Sequence, residues 1–179
     1  MPYAKLTRPN QTWAVALEGA FEDWANPTLA ELNDRRFVHF LSCALTEDGT
    51  SLVMADSETD DTLTFCSKGN ETTPTQYNLT SQLTWLKDAN TGGSGSTVDL
   101  TSLYNKATAM LGNVDIPYWI ISRTGPNASQ DIDFEAGHVI KMGRFLTDYP
   151  VDVLENNTPV RGQNSLVFQG DVLWNYTLV

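Results

Sequence analysis

The clearest pattern in the chain is a strict alternation over residues 75–85. Tyr77, Leu79, Leu83 and Trp85 fall on one side, with Ser81 among them. Gln76, Asn78, Thr80, Gln82 and Thr84 fall on the other. Successive side chains of a strand point to opposite faces, so this predicts a half-buried strand with an uncharged, water-facing side. Near-continuous apolar runs over 37–45 and 116–122 predict strands covered on both faces. Shorter strands are expected over 51–55, 62–66 and 138–149, the last irregular at Gly143 and extended over 151–154 past Pro150. Residues 56–61 read as an acidic loop. The C-terminus reads as a hairpin, 165–169 and 172–179, turning at Gly170-Asp171.

Helical spacing appears in one well-marked place. Leu100, Leu103, Tyr104, Ala107, Met110 and Leu111 share one face, Asp99 is positioned as an N-cap, and Gly112 supplies the stop. This predicts a helix over 99–111, behind a flexible Gly/Ser-rich connector over 90–97. A shorter helix is possible over 28–33, behind Pro27. Residues 1–27 show no clean period, only apolar islands at Trp13, Val15, Leu17, Phe21 and Trp24. They read as an extended N-terminal arm whose Trp13, Phe21 and Trp24 pack on a neighbouring subunit. The expected architecture is mainly β with one α-helix, a β-sandwich domain over 28–179.

Composition narrows the function. Apolar residues make up 41% of the 179-residue chain, enough for a core, while charged residues are only 18%. The net charge is −11, and acids outnumber bases in both halves. Tight nucleic-acid binding needs Lys and Arg to neutralise phosphate, so that class is disfavoured, although weak, non-adhesive contact with DNA is compatible. No apolar run reaches the length of a membrane span, and no secretory signal is visible at the N-terminus. Cys43 and Cys66 sit in apolar, strand-like stretches and read as buried thiols.

Catalytic motifs fail together. The chain lacks a nucleophile elbow, a phosphate-binding loop of the Walker type and a zinc-protease helix motif. His39 and His138 have no ligand or base at working spacing and read as structural. In the run Asp56, Glu58, Asp60 the sixth position of a calcium loop would be Asp61 where Gly is needed, and the twelfth Ser67 where Glu is needed. The pairs Asp131/Asp133 and Asp133/Glu135 could imitate a glycosidase dyad, but a charged, solvated loop explains them. Five tryptophans raise a glycan-binding sandwich as a rival; it predicts a flat, exposed aromatic row. The expectation is a non-enzyme with no cofactor and no metal.

Several blocks in order carry a family resemblance. They are residues 26–33 (NPTLAELN), 42–45 (SCAL), 56–60 (DSETD), 62–66 (TLTFC), Gly69-Asn70, the alternating strand through Leu86 with Lys87-Asp88-Ala89, and 168–172 (FQGDV). From about residue 26 onward the chain resembles the major tail tube proteins of long-tailed bacteriophages, especially those infecting actinobacteria. The resemblance implies hexameric rings stacked into a tube around a tape-measure protein, with an inner sheet contributing to a multi-subunit β-barrel. It also implies transient, non-specific passage of DNA, no membrane partner, and residence in the virion tail after assembly in the host cytoplasm. On that reading Gln76, Asn78, Thr80, Gln82 and Thr84 line the lumen. Asp48, Asp56, Glu58, Asp60 and Asp61, within residues 45–61, form a ring-stacking loop. A tail terminator or completion subunit, or the inner tube of a contractile device, would share the architecture. The unpaired borders of an open sheet fit this reading, because a ring of identical contacts can satisfy them.

Overall fold

Ten strands and two α-helices are laid out in the computed structural model, which describes residues 11–56, 58–60, 73–76, 78–88, 101–125, 133–156 and 158–179. The strands are β1 (Gln11–Leu17), β2 (Val38–Phe40), β3 (Ser51–Met54), β4 (Glu58–Asp60), β5 (Thr73–Gln76), β6 (Leu79–Leu86), β7 (Pro117–Thr124), β8 (Val139–Thr147), β9 (Val151–Val153) and β10 (Arg161–Thr177). The helices are α1 (Leu29–Leu32) and α2 (Leu103–Leu111). One antiparallel sheet runs β2-β1-β7-β8-β10-β6-β3, with β9 pairing β10 beyond the end of β8, and β4 and β5 form a separate ribbon. The mainly β fold expected of the sequence is present, and its layers come from one sheet curling over itself.

The curl is closed by residues 41–46. Leu41 N–H donates to the Trp13 carbonyl (2.9 Å), and Trp13 N–H donates to Ser42 Oγ (2.8 Å), so this segment is tied to β1. Leu86 N–H donates to the Ala44 carbonyl (3.0 Å) and Thr46 N–H to the Thr84 carbonyl (2.8 Å), so it is also tied to β6. The expected strand over 37–45 is therefore only Val38–Phe40. The rest is a turn, because Ala44 and Leu45 N–H both donate back to the Leu41 carbonyl. That turn carries Cys43 to the surface, where it is exposed rather than buried. Cys66 and the strand expected over 62–66 lie outside the described residues.

Two cores result. Inside the curl, Val15, Leu83, Trp85, Ile120 and Phe145 pack with Ala107 and Leu111 of α2. On the outer face, Ala14, Ala16, Trp119, Ile121 and Met142 pack under Leu32, Phe40 and Phe134. β1 is thus buried on both faces, and the arm expected over 1–27 does not hold for Gln11–Pro27. Trp13 belongs to the inner core, while Phe21 and Trp24 pack against the Trp119 ring of their own chain, at 5.9 Å edge-on and 5.6 Å stacked. Ala14 and Ala16 leave room for those rings, and small residues on that face are why no amphipathic period was visible.

α1 forms where Pro27 and Thr28 announced it. Thr28 and Glu31 cap each other reciprocally: Glu31 N–H donates to Thr28 Oγ1, and Thr28 N–H donates to Glu31 Oε2 (2.8 Å). α2 is shorter than expected, with Ser102 at the N-cap position; Asp99 lies outside the described residues. Asn164, fully buried on β10, donates from Nδ2 to the carbonyls of Leu111 and Asp148 (both 2.8 Å) and accepts the Asp148 N–H (3.0 Å). One amide thereby fixes the end of α2 and the exit of β8.

The C-terminal hairpin is not formed. β10 is one 17-residue strand, and its register against β8 jumps between Phe168 and Val172 and again between Leu173 and Tyr176. The Gly170-Asp171 signal marks the first irregularity, with Gly170 at φ +94, and Asn175 at φ +55 marks the second. A left-handed residue serves a bulge as well as a turn.

Gly162 lies flat on the Trp85 ring: a Cβ there would sit 2.5 Å from Cε2 and Cζ2. Gly162→Ala is expected to lower unfolding free energy by about 1–3 kcal/mol through overpacking, measurable by denaturant titration.

Candidate assembly surface

The inner face of the sheet is filled by core. Among the described residues the outer face is covered over the β1, β7 and β8 half and, at Thr84, by the 46–50 turn. Over β6, β3 and the first half of β10 it carries Thr80, Val53, Ser165 and Val167, all exposed. Cross-strand register places Gln82 between Ser51 of β3 and Ser165 of β10.

This face contains the row expected to line a lumen, and the structure divides that row. Thr80 is exposed, and Asn78 and Gln82 are half-buried. Thr84 is buried at 2% exposure, so it faces no open water. Its hydroxyl and the Gln82 amide both donate to the Gly49 carbonyl (3.0 Å each), which holds the 46–50 turn down over them. Gln76 lies in β5, in a ribbon separate from the main sheet rather than in one continuous strand with β6.

The ring-stacking candidates also separate. Residues 45–61 are not a single loop, because they contain β3 and β4. β3 and β6 continue through the Ala55 N–H to Asn78 carbonyl bond (2.8 Å) into the β4–β5 pairing, Glu58 opposite Gln76. This makes a two-stranded ribbon that runs on from the sheet. Asp56 is exposed at its base, and Glu58 and Asp60 are in β4. Asp48 is exposed beside Arg161 (3.6 Å) on the 46–50 turn, away from the ribbon. Asp61 lies outside the described residues.

Strand borders were the feature that no single residue could signal. Among the described residues, neither β3 nor β2 has a partner strand on its outer side. β10 pairs β6 only over Arg161–Leu166 and β8 from Leu166 onward, so its second border is open from Val167. β9 likewise pairs only β10.

Arg35, Arg36, Lys87, Arg144 and Arg161 are each held by acids. Arg144 reaches both Glu18 and Asp171, and Arg161 reaches Glu155 (2.7 Å) and Asp48. Arg35 pairs with Asp133 (2.5 Å), Arg36 with Asp34 (2.6 Å), and Lys87 with Asp152. The Arg36 guanidinium lowers the Asp34 carboxyl to about 2. Asp133 is thus bound in an ion pair, and its imagined dyad partner Asp131 lies outside the described residues. His138 accepts the Glu135 N–H at Nδ1 (3.0 Å). Trp13, Trp85 and Trp119 are buried and Trp24 and Trp174 half-buried, which is not the flat exposed row that a glycan platform predicts.

A curled antiparallel sheet with open borders and a partly uncovered face defines a β-sheet building block. The family described as phage tail tube protein matches residues 1–179. The chain belongs to the phage tail tube protein family and is a structural subunit of a phage tail. No curated protein matches the sequence. A chain in the tail of an empty GTA particle, computed with helical refinement in C6 symmetry, is similar at 12% identity and a TM-score of 0.43. That likeness covers 78% of this chain and 87% of that one. Among the described residues, no helix is long and apolar enough to cross a membrane.

His39 on β2 and His138 before β8 both titrate below their ordinary range. Burial is the main cause in each, followed by the Lys106 charge at His39 and the Arg123 charge at His138, where Glu135 opposes it. His39 Nδ1 is buried without a hydrogen-bond partner. The unfolded chain therefore binds more protons than the folded one once pH drops below about 6.5, and stability is lost as pH falls from there. The unfolding midpoint should decline between pH 7 and 5, and less steeply in His39→Gln; a parallel decline in that variant would remove His39 from the account.

Proposed function

We propose that copies of this chain close into rings, six to a ring as the family resemblance implies, and that the rings stack into a hollow tube that conducts DNA during ejection. The observation that carries this reading is the set of open strand borders, among the described residues, at β2, β3, β9 and the second half of β10. An unpaired border is a template for another chain, and a ring of head-to-tail contacts satisfies every border. The role is that of a building block, in keeping with the family, and not of a catalyst.

The lumen surface in this proposal is the uncovered outer face, now centred on Thr80, Gln82 and Ser165, with Val53 and Val167 between them. It presents no cation to phosphate. The paired arginines support the same picture, because a conduit must not grip its cargo, and six copies would carry six times the −11 of one chain. A tape-measure protein would fill the bore before DNA, and assembly would take place in the host cytoplasm. The β4–β5 ribbon replaces the 45–61 loop as the ring-stacking element.

Concentrated protein viewed by negative-stain microscopy is expected to show stacked annuli. Replacing residues 58–76 with a short turn should leave folded monomers that no longer polymerise. Long tubes from the shortened chain would remove the ribbon from the stacking role. Thr80→Lys with Ser165→Lys is expected to leave tubes intact and slow DNA ejection several-fold; unchanged ejection kinetics would mean that this face does not line the bore.

A further inference from the structure

The two ends of β8 differ in a way that the ring proposal does not use. At its beginning the curl has an open mouth, a cavity of about 460 Å³ whose walls include Trp13, Leu45 and Leu52, with Ser122, Cys43 and Lys141 at the polar side. Lys141 sits over the Trp174 ring, 4.4 Å from its centroid, and pairs with no carboxylate among the described residues. Just past the other end, Tyr149 and Leu154 stand 77% and 73% exposed, flanked by exposed Val151 and Val160. Asp148 is exposed beside them. Lys141 and Tyr149 are eight residues apart, roughly 26 Å along a strand at about 3.3 Å per residue.

We infer that the Tyr149–Leu154 corner of one copy docks at this mouth of the next copy, as an axial head-to-tail contact between stacked subunits. The inference rests on the tube reading above. A knob at one end and a hollow at the opposite end of the same strands are different surfaces, so the contact is head-to-tail, and repeated along the strand direction it extends a stack. The mouth's lining is largely polar, with one cation, Lys141, and one acid, Glu47; the exposed apolar side chains meet Trp13, Leu45 and Leu52, and Asp148 approaches Lys141. Burial of Leu154 and Tyr149 supplies the driving force. The β4–β5 ribbon supplies reach between rings, and this contact supplies register.

Cys43 is a built-in probe, since it is exposed at the mouth. Full-length Tyr149→Cys protein, polymerised and treated with a short bifunctional maleimide, is expected to give a ladder of covalent multimers on a denaturing gel. The ladder should vanish when Cys43→Ser is added. Leu154→Ser should raise the concentration needed for tubes about tenfold, with an unchanged thermal midpoint. Tubes that form without the ladder, and with Leu154→Ser polymerising normally, would overturn the contact while leaving the tube reading standing. A bridge from Cys43 to a Lys5→Cys substitution within one monomer would also overturn it, by giving the mouth to the chain's own N-terminus. No tube by microscopy at any concentration would overturn both.

Discussion

Every strand must spend its backbone hydrogen bonds somewhere, and this chain spends them selectively. A buried, unpaired N–H or C=O costs about as much as a lost hydrogen bond. Residues 41–46 meet that constraint by bonding to β1 on one side and β6 on the other, which turns an open sheet into a closed wall around the inner core. Among the described residues, what remains unpaired lies at the rim: the outer sides of β2, β3 and β9, and the second border of β10. The fold thus divides its borders into those completed within the chain and those that, among the described residues, stay unpaired.

Packing explains why closure leaves one half of the outer face uncovered. Trp119 needs the Phe21 and Trp24 rings over it, and these arrive because the chain turns back immediately after β1. α1, capped by its Thr28–Glu31 box, then brings Leu32 onto the same surface. Among the described residues nothing comparable follows β6 or β3. On their outer face stand Thr80 and Gln82, with Val53 the one exposed apolar side chain among the described residues of β3 and β6 there, so little apolar surface calls for a cover.

The positions of β6, β7 and β8 were legible because alternation and apolar runs report burial directly. β1 was not, since Ala14 and Ala16 mark a face covered by aromatics that come later in sequence. The β10 hairpin was misread for a related reason: Gly170 and Asn175 supply left-handed backbone, and local sequence cannot say whether that bend reverses a strand or only bulges it. Thr84 shows the limit for the candidate site. Its alternation was right, but burial came from the 46–50 turn, held through the Gly49 carbonyl by a contact 35 residues away in sequence. Borders are the least legible feature of all, because an open edge is a property of the whole sheet.

Open borders also invite the wrong partner, and β10 carries the counter-measure. A long flat edge pairs with almost any extended segment. The exposed half of β10 is not flat: two register shifts fall within Phe168–Tyr176, and each bulge twists the strand and breaks the regular ladder. Arg144 holds the first irregularity in place by bridging Asp171 on the bulge to Glu18 at the end of β1. Only a neighbour with matching irregular spacing can follow such a border. The same residues that hid the strand in the sequence therefore make its edge selective, as the proposed ring contact requires.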